Sequence, residues 1–211
     1  MSTQIHYRIN WRSRAVFPGA HASIQNGGGM EFSHHVDLLD AADPRRVDLH
    51  ASLKDPFGKW LVRRFRQRSG ISVYVLADLS ASMGFAGKRR KLDTLADLTH
   101  ALAYSAHRSG DRFGFIGCGA TLQPEWYLPA SQQTGAGIAL SQRLRNFSPT
   151  GAGANALIEG CAHMTRQRSL VFLVSDFHFP LELLDDILAR LTLHQVVPVV
   201  LWDRAEFEPP A

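Results

Sequence analysis

The chain is poor in cysteine and has no long apolar run. Of its 211 residues only Cys118 and Cys161 are cysteines, and they form no CxxC pair. That excludes a disulfide framework and a structural thiolate zinc site, and it fits a reducing, cytoplasmic setting. No apolar stretch approaches the ~20 residues that cross a bilayer. The start, MSTQIHYRINWRSR, lacks the apolar core of a secretory signal. Membrane insertion is therefore not expected. The GxxxxGK[ST] phosphate loop is missing, so the chain is not expected to hydrolyse ATP itself. The GxSxG elbow of serine hydrolases is missing too. There is no internal repeat and no low-complexity tract beyond Gly27–Gly29.

What is present belongs to an ordinary globular protein, 45% hydrophobic and 20% charged. The length suits one domain, or one domain with an extension. Charge is unevenly placed. Residues 1–70 hold 11 Lys/Arg against 6 Asp/Glu, and residues 71–211 hold 12 against 13. The basic excess of the N-terminal third reads either as a surface for an acidic partner or nucleic acid, or as a solvated face.

The pattern divides at the same place. Residues 1–70 are turn-rich, with NGGG, ADPRR and KDPFG, and form an N-terminal extension. Within them KWLVRRFRQR predicts a short helix leading into the first core strand. From residue 71 onward strands and helices alternate. ISVYVLA, RFGFIGCG, SLVFLVSD and QVVPVVLW are apolar runs of strand length, and EWYLP is a short edge strand flanked by Pro124 and Pro129. KLDTLADLTHALAYSAHRSG places Leu92, Leu95, Leu98, Leu102 and Ala106 at helical spacing. GIALSQRLRNF, ANALIEGCAHMTRQ and LELLDDILARLTLH are further helices. This alternation implies an α/β fold: a doubly wound, mostly parallel sheet with helices on both faces.

In open α/β sheets, ligands collect beyond the carboxyl ends of the strands. Two strands end there in aspartate, Asp78 within LADLSAS and Asp176 within LVSDFH. Adjacent carboxylates repel and raise each other's pKa unless a cation lies between them. Ser80 and Ser82, at alternate positions, add two hydroxyls that an extended loop points the same way. Oxygen ligation without His or Cys suits a hard cation, Mg²⁺ or Mn²⁺. The plainer reading is that Asp78 and Ser80 cap the loop or the following helix.

DLSAS after a buried strand, with SDF ending a later one, resembles the metal-ion-dependent adhesion site of von Willebrand factor A domains. The resemblance implies a Mg²⁺ site built from Asp78, Ser80, Ser82 and Asp176, often completed by a carboxylate of the partner protein. The family also uses a threonine from another loop. Here SPTGAGANALIEG puts Ala154 in that register, and Thr150 lies four residues earlier. The resemblance thus implies either an occupied site or a degenerate one that docks without metal.

The segment from about residue 18 resembles the part that precedes this domain in one bacterial family, the domain of unknown function fifty-eight. That family is commonly encoded beside MoxR-type AAA+ ATPases. Gly27–Gly29, Glu31–Phe32, Asp43, Arg45, Asp48 and Ser52 match its pattern. Ala41, Ala42, Leu49 and Lys54 depart from it. The resemblance implies a non-enzymatic interaction module that works with a MoxR-type ATPase to assemble, activate or load metal into a client protein.

Candidate partner-binding residues are Arg45, Asp48, Arg63 and Arg64. Asp43, Arg45, Arg46 and Asp48 also suggest an ion-pair lattice docking the extension onto the core. Two basic clusters remain, RRFRQR (63–68) and KRRK (88–91). Phe65 is the sole ring interleaved in either, so nucleic acid is not the expected partner. Four cations at the start of a helix oppose its dipole, so something else must favour them. His34 and His35 would point to opposite faces of a strand, which argues against a two-histidine metal site. The rival classes are a nucleic-acid-binding module and a metal-dependent hydrolase.

Overall fold

The computed structural model describes residues 4–41, 43–151 and 153–207. Ala42 lies outside them. The chain divides into two units, Trp11–Gly70 and Ile71–Ala211, with the first ten residues belonging to the second.

In the first unit, β1 (Pro18–Asp37), α1 (Leu49–Leu53) and β2 (Leu61–Ser69) follow in order. β1 and β2 pair antiparallel, with Asp37 opposite Leu61 and Ala22 opposite Arg68. KWLVRRFRQR is therefore a strand and not the helix its sequence predicts. Leu, Arg and Gln favour a helix only weakly, and a ladder partner along most of the segment overrides them. Val62 is buried and Arg63 exposed, as alternation on a strand requires. The turn-rich stretch between the strands is organised by three aspartates. Asp37, Asp43 and Asp48 each accept a backbone N–H at the start of a short helical turn. The expected ion-pair lattice takes another form. Arg46 pairs with Asp43 at 3.5 Å, and Asp48 pairs with Arg63 of β2 at 2.7 Å, both inside this unit.

The second unit runs β3 (Ser72–Asp78), α2 (Lys91–Arg108), β4 (Arg112–Cys118), β5 (Leu122–Ser131), α3 (Thr134–Asn146), α4 (Ala156–Ala162), β6 (Leu170–Ser175), α5 (Leu181–Arg190) and β7 (Gln195–Val200). One sheet forms in the order β5-β4-β3-β6-β7. All its neighbours are parallel except β5, an antiparallel edge strand. Every residue of β3 and β6 is buried, which explains why these strands read as continuous apolar runs.

Side chains alternate between two helical layers. Tyr74, Leu76, Ile116 and Leu173 pack against Leu157 of α4 and Ile187 of α5. On α2 the buried stripe is Leu92, Leu95, Thr99, Leu102 and Ala106, with Leu98 only half-buried. A residue three or four places on from Leu95 meets the core, and Thr99 does so better than Leu98. The N-terminal residues add to this unit. Ile5 N–H donates to Ser105 Oγ (2.9 Å) and Tyr7 Oη–H to Asp111 (2.6 Å). Asp111 also accepts from Ile71 N–H at the start of the core (2.8 Å).

Close approach of α4 to the sheet needs Gly160. A Cβ there would lie 2.7 Å from Cys118 Sγ and 3.1 Å from Ile116 Cγ2 and Leu76 Cδ1. Gly160→Val is expected to lower unfolding free energy by about 1–3 kcal/mol through overpacking. Gly135→Ala, where the added methyl meets open space, is expected to be neutral or to stabilise by up to about 1 kcal/mol. Urea denaturation of the two variants checks both.

Candidate functional site at the strand ends

β3 and β6 pair in parallel with Ala77 opposite Val174, so Asp78 and Asp176 emerge at the same sheet edge. Both are 1% exposed. Asp78 Oδ1 accepts Ser80 N–H at 2.8 Å, and Oδ2 accepts the Ser175 hydroxyl at 2.7 Å. Ser80 Oγ and Ser82 Oγ lie 3.1 Å apart, so the alternate hydroxyls do turn toward one another.

The loop that follows α3 reaches the same place. Gly151 carbonyl accepts Ala81 N–H at 2.8 Å. Ala154 is buried in the apolar cluster under α4. Thr150 lines a cavity with Leu79, Gly119, Trp126 and Phe147.

A cation is already present at this edge, and it belongs to the chain. Lys91, the first residue of α2, has a side chain only 3% exposed. Its Nζ donates to Asp176 Oδ2 at 2.8 Å, to Glu206 Oε1, and to Ser82 carbonyl at 3.4 Å. The Phe85 ring lies 5.7 Å away. Around Asp176 the contacts continue. Trp202 Nε1–H donates to its carbonyl (2.7 Å), His178 N–H to Oδ1 (3.3 Å), and His178 Nδ1 lies 3.5 Å from Oδ2. Asp176, His178 and Glu206 bring potential ligand atoms within 4.8 Å of one another.

The two aspartates respond oppositely. Burial pushes the Asp78 carboxyl up, against the bonds from Ser175 and Ser80, and the Asp176 charge adds to the rise. Burial also works to raise Asp176. The Lys91 ammonium, with Ser82 and His178 N–H, more than offsets it and holds Asp176 below the usual carboxylate range.

A resident divalent ion fits this arrangement poorly. The second carboxylate is paired with an ammonium, and the position that the resemblance assigns to threonine is the buried methyl of Ala154. One carboxylate and two hydroxyls remain, fewer protein oxygens than the full set. Reading the sequence alone misses Lys91, Glu206, His178, Trp202 and Ser175. Lys91 had a signal: a cation in a helix's first turn needs a counter-charge.

The candidate partner residues sit in the first unit. Asp48 caps α1, accepting Ala51 N–H at 3.1 Å, and joins Arg63 and His35. The Arg63 guanidinium holds it well below the usual carboxylate range. Arg45 and Arg63 line a cavity with Arg46, Leu49 and Phe65, and Arg64 pairs opposite His34 in the β1–β2 ladder.

Against known proteins, a family described as "Protein of unknown function DUF58" matches residues 43–211. The match thus starts well after residue 18. No curated protein matches. Among solved structures, an aerotolerance-related membrane protein from Bacteroides fragilis is 18% identical with a TM-score of 0.47, covering 62% of this chain and 67% of that one. The conserved hypothetical protein BatB from Bacteroides thetaiotaomicron is 17% identical with a TM-score of 0.48, covering 62% and 66%. This chain therefore spans about two thirds of each. The von Willebrand factor domain of the pilus tip protein Mfa5 from Porphyromonas gingivalis is 17% identical with a TM-score of 0.41, covering 51% and 38%.

The opposite shifts separate two substitutions. A raised carboxyl contributes stability below its unfolded pKa and loses it as pH rises through the folded value. Charged Asp78 is therefore a cost at neutral pH, and Asp78→Asn is expected to stay within about 1 kcal/mol of wild type. A lowered carboxyl contributes stability above its unfolded pKa and loses it as pH falls through the folded value. Asp176→Asn removes the buried carboxylate that pairs with Lys91 and leaves Glu206 to balance the ammonium, so it is expected to cost about 3 kcal/mol, the low end for a broken buried pair. Denaturation at pH 7 in chelator checks the contrast, and equal losses would contradict it.

Proposed function

Because the chain belongs to the DUF58 family of proteins of unknown function, we propose that it is a non-enzymatic protein-interaction module. It works with a MoxR-type AAA+ ATPase in assembly, activation or metal loading of a client protein. Docking is through the strand-end face, in the manner of a degenerate metal-ion-dependent adhesion site. The carrying observation is that this edge gathers two buried carboxylates, two facing hydroxyls and a buried ammonium. The hydroxyls face one another, and no histidine activates either one among the contacts described. This arrangement supports recognition over a nucleophile with its base. The absence of a phosphate loop leaves nucleotide hydrolysis to the partner. Among the described residues no helix is long and apolar enough to cross a membrane.

The test is capture of a purified MoxR-type ATPase encoded beside this chain. Wild type is expected to retain it, and Asp78→Ala, which removes the buried carboxylate that holds Ser80 at this face, to weaken capture about tenfold, the scale of a hot-spot loss. Unchanged capture by Asp78→Ala would remove this face from the interface. Salt-sensitive binding of generic DNA would favour the nucleic-acid reading. A phosphodiesterase activity lost in Asp78→Ala would favour the hydrolase.

A further inference from the structure

We propose that the Lys91 ammonium is the resident cation of the strand-end site, and that Glu206 occupies the place of an acidic side chain of the protein partner. The site then recognises a carboxylate without a divalent metal, and the partner engages by exchanging with Glu206. This inference rests on the strand-end face being the docking surface.

An ammonium has three N–H donors and no acceptor. All three directions have an acceptor here: Asp176 Oδ2, Ser82 carbonyl and Glu206 Oε1. A fourth acceptor gains a full bond only by replacing one of them. Asp176 follows directly on a fully buried core strand, and the Ser82 carbonyl belongs to the turn at the end of β3. Neither can leave without unmaking the sheet edge. Glu206 sits on a single turn, Arg204–Glu206. That turn is held by its own capping box with Asp203, by Asp203 accepting Lys88 N–H at 3.0 Å, and by the neighbouring Trp202. It is thus the replaceable acceptor.

The surroundings specify the occupant. The cavity beside Lys91 is lined by Lys88, Arg89, Thr94, Trp202 and Asp203. Lys88 and Arg89 are exposed cations at this cavity, Arg89 in an ion pair with Asp97. Trp202 and Phe207 are 64% and 61% exposed, with rings 5.7 Å apart. An acidic residue flanked by apolar side chains matches an ammonium with cationic and aromatic neighbours. The metal arrangement implied by resemblance is thereby replaced: Lys91 supplies the positive charge, and Ala154 has no ligand to give.

Two measurements test this on the full chain. In the first, Mn²⁺ is titrated into wild type, and melting is followed with and without EDTA. No binding heat to millimolar Mn²⁺ and no change in melting are expected. Saturable Mn²⁺ binding, or a melting point that falls in EDTA, would overturn the resident ammonium. In the second, a labelled peptide of alternating Glu and Leu is titrated in EDTA and followed by fluorescence anisotropy. Glu206→Gln is expected to bind it about tenfold tighter than wild type. Glu182→Gln, the same charge change on α5, should leave affinity unchanged. Adding Lys91→Gln to Glu206→Gln should abolish the gain. Should that double variant fail to fold, the two single variants decide alone. No gain in Glu206→Gln, or an equal gain in Glu182→Gln, would overturn the exchange. Neither measurement involves the ATPase, so loss of capture and failure of this inference are separate results.

Discussion

Parallel pairing of β3 with β6 brings two carboxylates to one edge of an otherwise apolar sheet, and the rest of the site is organised around neutralising them. Like charges in a low-dielectric setting push each other's pKa up. Asp78 and Asp176 meet this constraint differently. Asp78 accepts two hydrogen bonds and its carboxyl is driven upward by burial. Asp176 takes a direct ion pair and is held down. Because Lys91 is the first residue of α2, that ion pair ties the start of a helix to the end of a strand. Through Glu206 and Trp202 it also draws the last described turn to the same edge.

Magnitudes show which effect prevails at the start of α2. A cation in a first turn opposes the helix dipole at a cost of about 0.3–1 kcal/mol. Arg90, at the cap, makes no side-chain capping bond to the helix and turns its guanidinium to the Arg145 and Phe147 carbonyls instead. Losing one partner of a buried ion pair costs about 3–5 kcal/mol. The pair therefore outweighs the dipole, and the helix begins where its ammonium can reach Asp176. The exposed pairs of the first unit are of another kind. Arg46 with Asp43 is screened by solvent and contributes little.

The sheet was legible because its strands are buried on both faces, so each appears as a short continuous apolar run in a regular alternation with helices. The Asp78, Ser80, Ser82 and Asp176 grouping was legible for the same reason: a parallel register fixes which strand ends share an edge. β2 was not legible. Its hydrogen-bond partner is β1, across the turn-rich stretch, and local propensity carries no information about that pairing. Lys91 was hidden among three neighbouring cations. Lys88 and Arg89 lie in the turn before α2 and are exposed, while Lys91, the first residue of the helix, is buried, and only the point at which the helix begins separates them. Glu206 was hidden by sequence distance, since nothing local marks a glutamate that meets a lysine of another element.

The difference between an ammonium and a divalent ion has consequences for recognition. A divalent ion gathers oxygens from any direction that its coordination permits and keeps several waters to exchange. An ammonium has three donors on a tethered stem, and its charge cannot be removed by a chelator. With Asp176 and the Ser82 carbonyl anchored on the sheet side, Lys91 gives its remaining donor to Glu206. A surface of this kind trades the tunable occupancy of a metal for a charge carried by the chain itself. Control of access then passes from metal concentration to the carboxylate that covers it. That places regulation in the Trp202–Phe207 segment, whose exposed rings and single capped turn lie next to the site they close.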